Sequence, residues 1–248
     1  MLRGLLTLTW LEIKIFVREP LGVFGTVAVP VLIFVLFGRL FGPRMRGSVP
    51  VPRFVSADLP IFASILIVLG AVMSVVTVVA IYREGGILKR LRATPLRPYT
   101  ILLAHVAVKL GFVLLTLGLM VLAGRRYYPI GADVPWLSFT LALLFTTICL
   151  ISLGFVLASL VPTARFAQPL GTLVFYPMLG LCGLFVPIAA LPSPLQMAAK
   201  LLPLTYCVSL LRGIWQGEGW FAHLGDVGAL LLVLVGASAL SVRLFRWE

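Results

Sequence analysis

Residues 59–82 read LPIFASILIVLGAVMSVVTVVAIY, 24 residues without a charge. A helix needs about 20 apolar residues to cross the hydrocarbon core of a bilayer, so this stretch predicts a transmembrane helix. Comparable windows lie on both sides of it. Leu21–Gly38 has 18 uncharged residues, Leu110–Gly124 has 15 and extends backwards past Lys109, Val134–Ala164 has 31, Phe166–Ala199 has 34 and Val227–Val242 has 16. Together they predict an all-α integral membrane protein, a single domain over 1–248. Its six spans fall at about 21–40, 59–82, 101–124, 136–160, 167–187 and 224–244.

Composition agrees. The chain is 61% hydrophobic and 11% charged over 248 residues, with a mean hydropathy of +1.12. Soluble domains average about 45–50% apolar and about 25% charged, so too few charges are present to cover a water-facing surface. A soluble enzyme, a disordered chain and a disulfide scaffold are poor readings, and the length leaves no room for a large extramembrane domain. The net charge of +12 suits basic loops against anionic headgroups better than nucleic acid. With both ends inside, twelve of the 20 Lys and Arg residues fall in inner segments and eight in outer ones, which favours that orientation in a cell inner or plasma membrane. Cys149, Cys182 and Cys207 sit in apolar stretches without ligand spacing, and two histidines, His105 and His223, are too few for a metal cluster.

Outside the spans, Leu6, Trp10, Ile13 and Phe16 or Val17 recur at helical spacing against a stripe of Arg3, Thr7, Lys14 and Arg18. This predicts an amphipathic interfacial helix over 1–19, closed by Glu19-Pro20. Glu12, Lys14, Arg18 and Glu19 interrupt the stretch, so it does not read as a cleaved signal. The 34-residue window is too long for one span. Pro187, Pro192, Pro194 and Pro203 punctuate its end, so a span ending near Pro187 and a re-entrant helical segment over 188–212 are expected. Pro177 is expected to kink the fifth span. Lys109, about one turn inside the membrane, is expected to snorkel to the headgroups, with a charge in a transport path as the alternative.

The loop 82–99, YREGGILKRLRATPLRPY, holds a short amphipathic helix. Ile87, Leu88 and Leu91 share one face, Lys89, Arg90 and Arg92 the rest; Gly85 and Gly86 break it from the second span and Pro95 ends it. A basic topology signal explains the charges but not the apolar face. No G-x-x-x-x-G-K-[ST], G-x-S-x-G or H-E-x-x-H occurs in the sequence, and apart from Lys109 and His105, near one face, no ionisable relay lies in the spans. Energy for any transport is therefore expected from elsewhere.

Glu84-Gly85, Leu88 to Leu91 and Thr94-Pro95-Leu96 resemble a pattern of type-2 ABC transporter permeases. Gly183 to Pro187, Leu191-Pro192, Pro203-Leu204-Thr205-Tyr206 and Leu211-Arg212 are similar to that family's signature before the last span, and Arg18-Glu19-Pro20 to its entry motif. The resemblance implies a non-catalytic permease subunit that pairs with a second permease copy or a homologue, and with two copies of a cytosolic ABC ATPase. That partner binds ATP and Mg; this chain holds no cofactor. The resemblance also makes 83–97 the coupling-helix loop, with Glu84, Gly85, Gly86, Leu88, Arg90, Leu91, Arg92 and Pro95 at the ATPase, and Glu84 bracing the start of that helix. It places Gly183, Pro187, Pro192, Pro203, Tyr206 and Arg212 in the outer re-entrant gate, and a substrate path along the second and fifth spans at Met73, Thr77, Phe175 and Leu179. The expected function is export of a hydrophobic or amphipathic drug, natural product or lipid. The alternatives are a lipid-linked glycan exporter and, in other classes, an intramembrane lipid-modifying enzyme or a channel.

Overall fold

The computed structural model describes residues 2–18, 20–45, 58–86, 98–127, 135–161 and 163–244. Among these every regular element is helical. Helix α1 is Leu2–Arg18. Helix α2 runs from Pro20–Val23 through a π-helical turn, Phe24–Ala28, into Val29–Met45. The cause of that turn is in the sequence. Pro30 has no N–H to donate to Thr26 and its ring crowds that carbonyl, so the helix widens just before it, with Val29 N–H bonding Phe24 O.

The central helix is α3, Leu59–Glu84, opened by Pro60 in its first turn, where a missing N–H leaves no bond unmade. Helix α4 is Pro98–Tyr127, α5 is Trp136–Leu160 and α6 is Ala164–Leu181, which carries Pro169 and Pro177 inside it. After a 3₁₀ turn at Ile188–Ala190 come α7, Ser193–Leu201, and α8, Pro203–Trp215. A second 3₁₀ turn, Trp220–His223, leads into α9, Leu224–Leu244.

Helix α3 packs against α2, α4, α5, α6 and α8. Its Ile61, Ile65, Val68, Val72 and Val76 are fully buried. Helix α5 closes on it at Gly154, where a Cβ would lie 3.0 Å from Val72 Cγ1; small residues are how membrane helices bring backbones together. On its other side α5 carries α9, of which only 11% of the most apolar window is buried. Phe139 and Trp136 meet Trp215 edge-on at 5.1 and 5.7 Å, tying α5 to α8.

Four helices among the described residues are long and apolar enough to cross a bilayer: Pro60–Glu84, Leu103–Ala123, Trp136–Leu160 and Trp220–Ser241. A fifth crossing is made only if α7 and α8, bent 81° at Leu202, count as one. The other two expected spans are shorter. The apolar part of α2, Phe24–Leu40, has 17 residues, about 25 Å of helix against a core of about 30 Å. Helix α6 stops at Leu181, six residues before the expected Pro187, because the chain turns at Gly183, whose φ of +81° suits a residue without a Cβ.

Candidate functional site

Polar side chains gather at the two ends of α3. At its C-terminal end Gly85 N–H closes the last turn on Ile81 O at 2.9 Å, and Gly86 leaves it at φ +64°. Just before this break, two adjacent charges reach the corner between α5 and α6. Arg83 Nη1 donates to Ser159 O at 3.0 Å, in the last turn of α5. Glu84 Oε2 accepts from Ala164 N at 2.6 Å, the first residue of α6. Each charge sits on the helix end whose dipole it complements. Glu84, expected to brace the helix after it, is thus bound to a residue 80 positions away. Leu88, Arg90, Leu91, Arg92 and Pro95 lie outside the described residues.

Beside this end a buried cluster joins α1 to α3 and α4. Tyr82 OH donates to Glu12 Oε1 at 2.7 Å, and His105 Nε2 approaches the same oxygen at 3.1 Å, out of line for a hydrogen bond. Lys109 does not snorkel. It is 4% exposed, with Nζ 3.9 Å from the centroid of Phe16, whose ring meets that of Phe112 at a tilt of 48° and 4.3 Å. The amphipathic α1 covers the ammonium, so an aromatic face takes the place of headgroups. Glu12, Phe16, Tyr82, His105 and Lys109 line a cavity of about 110 Å³. Sequence reading noted His105 and Lys109 near one face, four apart on one helix, but not their partners on α1 and α3.

At the other end of α3, Arg212 ties three segments together. Its Nε lies 2.7 Å from Asp58 Oδ1, just before α3, and its Nη2 donates to Gly183 O at 3.1 Å, just after α6. Close by, His223 has Nδ1 2.8 Å from Asp226 Oδ2 and Nε2 2.7 Å from Glu218 Oε2. Both ring nitrogens donate only when the imidazole is protonated. Ser209 donates to the same Asp226 oxygen at 2.8 Å. Gly213 makes room for this, since a Cβ there would collide with the His223 ring. A cavity of about 460 Å³ opens here, lined by Gly183, Pro187, Tyr206, Arg212, His223 and Asp226 among others. Tyr206 OH donates to Lys200 O at 2.6 Å, and Pro192 and Pro203 stand at the starts of α7 and α8. Glu218, His223 and Asp226 escaped the sequence reading, although three titratable groups within nine residues interrupt an otherwise uncharged stretch. No group able to hold a metal ion is found among the described residues.

The proposed path residues are core residues in this conformation to different degrees. Phe175 is 1% exposed, while Met73, Thr77 and Leu179 are half-buried. Met73 fills the notch left by Gly171 on α6.

Among the described residues the chain is all-helical, with four helices long and apolar enough to cross a bilayer. Residues 3–215 match the family described as ABC-2 type transporter, and the chain belongs to it. It is a transporter membrane subunit, in a family that normally pairs with an ATPase subunit, and not a catalytic domain. Nodulation protein J of Rhizobium leguminosarum bv. trifolii is 30% identical over 220 residues, 84% of this chain and 81% of that protein. Nodulation protein J of Bradyrhizobium diazoefficiens is 33% identical over 132 residues, 51% of this chain and 50% of that one.

Proposed function

We propose that the chain is the membrane-spanning subunit of an ATP-driven exporter, working as a dimer with two copies of a separate cytosolic ATPase. The observation that carries this is the family match over residues 3–215 in a sequence that contains no P-loop. Segment 84–94 docks on the ATPase through Leu88 and Leu91, flanked by Arg90 and Arg92. ATP and Mg act in the partner. The spans then exchange inner for outer access as rigid bodies. Helices α2 and α6 complete six spans despite their length, both chain ends face the cytoplasm, α1 lies in the interface, and 188–212 closes the outer side. The apolar spans favour a hydrophobic or amphipathic substrate. The polar side chains set in the mixed wall of the 460 Å³ cavity, Tyr206, Ser209, Gln216 and Glu218 among them, favour a second reading, a lipid carrying a hydroxylated glycan.

Co-purification with cytosolic ATPases, followed by ATP hydrolysis in vesicles with each substrate class, tests the reading. Association and substrate-stimulated hydrolysis are expected. A chain that binds no ATPase and modifies lipid by itself would overturn it. Orientation is tested with an impermeant thiol reagent: Ser48→Cys and Ile130→Cys are expected to label from outside and Ala93→Cys is not. Labelling of position 93 alone would reverse the topology.

A further inference from the structure

Helices α3 and α6 are joined at both ends and touch midway. At one end Glu84 holds Ala164 N at 2.6 Å while Arg83 holds Ser159 O at 3.0 Å, so the last turn of α3 grips both arms of the α5–α6 corner. Midway, Met73 occupies the Gly171 notch. At the far end Arg212 binds Asp58, which precedes α3, and Gly183 O, which follows α6. The grip lies immediately before Gly85 and Gly86, where the α3 helix stops. Displacement of the segment beyond Gly86 therefore reaches the helices at Glu84 and, at its other end, at Pro98, where α4 begins.

We propose that Glu84 is the transmission residue of this permease: by holding Ala164 N it makes α3 and α6 one body, so that movement of the segment after Gly86 displaces both helices together. This rests on the coupling reading of segment 84–94 and adds a step to it. Docking belongs to Leu88 and Leu91; Glu84 acts inside the chain. Without the grip, a push on that segment reaches α6 only through the Met73 contact and the distant Arg212 link, and ATP is hydrolysed with a smaller change of access.

Ala164→Pro tests this with Glu84 left in place. Position 164 is the first residue of α6, where proline is favoured, and Thr163 is already extended, at φ −137° and ψ 155°, as a residue before proline must be. The substitution removes the N–H that Glu84 holds and adds two ring carbons at a half-buried position. In the permease–ATPase complex in vesicles, we expect normal assembly and ATP hydrolysis, with substrate moved per ATP reduced at least about fivefold. Glu84→Gln, which keeps an acceptor oxygen, is expected to retain more transport per ATP than Ala164→Pro. A purely structural cap predicts a fall in assembled complex with transport per ATP unchanged, and that result overturns the proposal. If Ala164→Pro folds poorly, a short thiol crosslink between Glu84→Cys and Ala164→Cys, in a background lacking the three native cysteines, decides the matter. Transport that survives crosslinking supports a single body; transport stopped by it shows that the two helices must separate. Failure of the underlying reading looks different, because then the unaltered permease does not bind the ATPase.

Discussion

The two ends of α3 use charge in opposite ways. At the Glu84 end, Arg83 and Glu84 each bind a backbone group at a helix terminus, and the side chains are half-buried or exposed. At the Arg212 end, side chains bind one another: Arg212 with Asp58, His223 with Glu218 and Asp226, around a cavity of about 460 Å³. A backbone group at an accessible corner finds water when its partner is lost. A half-buried carboxylate that loses its cation does not, so equal deletions have unequal costs at the two ends.

Arg212→Ala is expected to cost most, about 3 kcal/mol, since it leaves Asp58 half-buried and unpaired and frees Gly183 O. Thermal unfolding in detergent measures it, and Asp58→Asn with Arg212→Gln should recover part of the loss. Gly213→Ala comes next at about 2 kcal/mol, because the new methyl displaces the His223 ring and with it both carboxylate contacts. A Gly213→Ala protein as stable as the original would show that the His223 cluster bears little load. Tyr82→Phe removes the donor to Glu12 where α1 meets the core, for about 1 kcal/mol. Limited proteolysis of α1 reads the same change, as faster cleavage. Arg83→Ala should cost least, about 0.5 kcal/mol, with Ser159 O turning to water. Equal unfolding temperatures for Arg83→Ala and Arg212→Ala would erase the contrast between the ends.

The long helices were legible because lipid imposes a simple rule on sequence. An uncharged run of 24 residues at 59–82 has one use, and α3, α4, α5 and α9 follow their windows closely. The period of α1 was equally plain, and that helix runs over Leu2–Arg18. The end of α6 was not. Pro187 marks a barrier to helix, yet the turn comes earlier, at Gly183, where the guanidinium of Arg212 takes the carbonyl. Lys109 misled for a related reason. One turn inside a span, a lysine reads as snorkelling, and nothing local says that Phe16 of α1 will cover it. Glu84 carried the family motif, but its partner at Ala164 lies 80 residues away and that of Arg83, at Ser159, lies 76 away, beyond the reach of any local pattern. Hydropathy sets which segments cross; it does not say which charges meet when the helices pack.

The central claim is that this chain transports by responding to an ATPase docked on segment 84–94. The most direct measurement compares ATPase association and substrate export for the original protein and for the double variant Leu88→Asp, Leu91→Asp, in the same vesicles. Both residues lie outside the proposed spans, so insertion and expression should be unchanged. Burying two unpaired carboxylates at the docking face costs several kcal/mol, and association and export should disappear together. Full export by the double variant at normal expression would contradict the account and leave that segment as a topology signal alone.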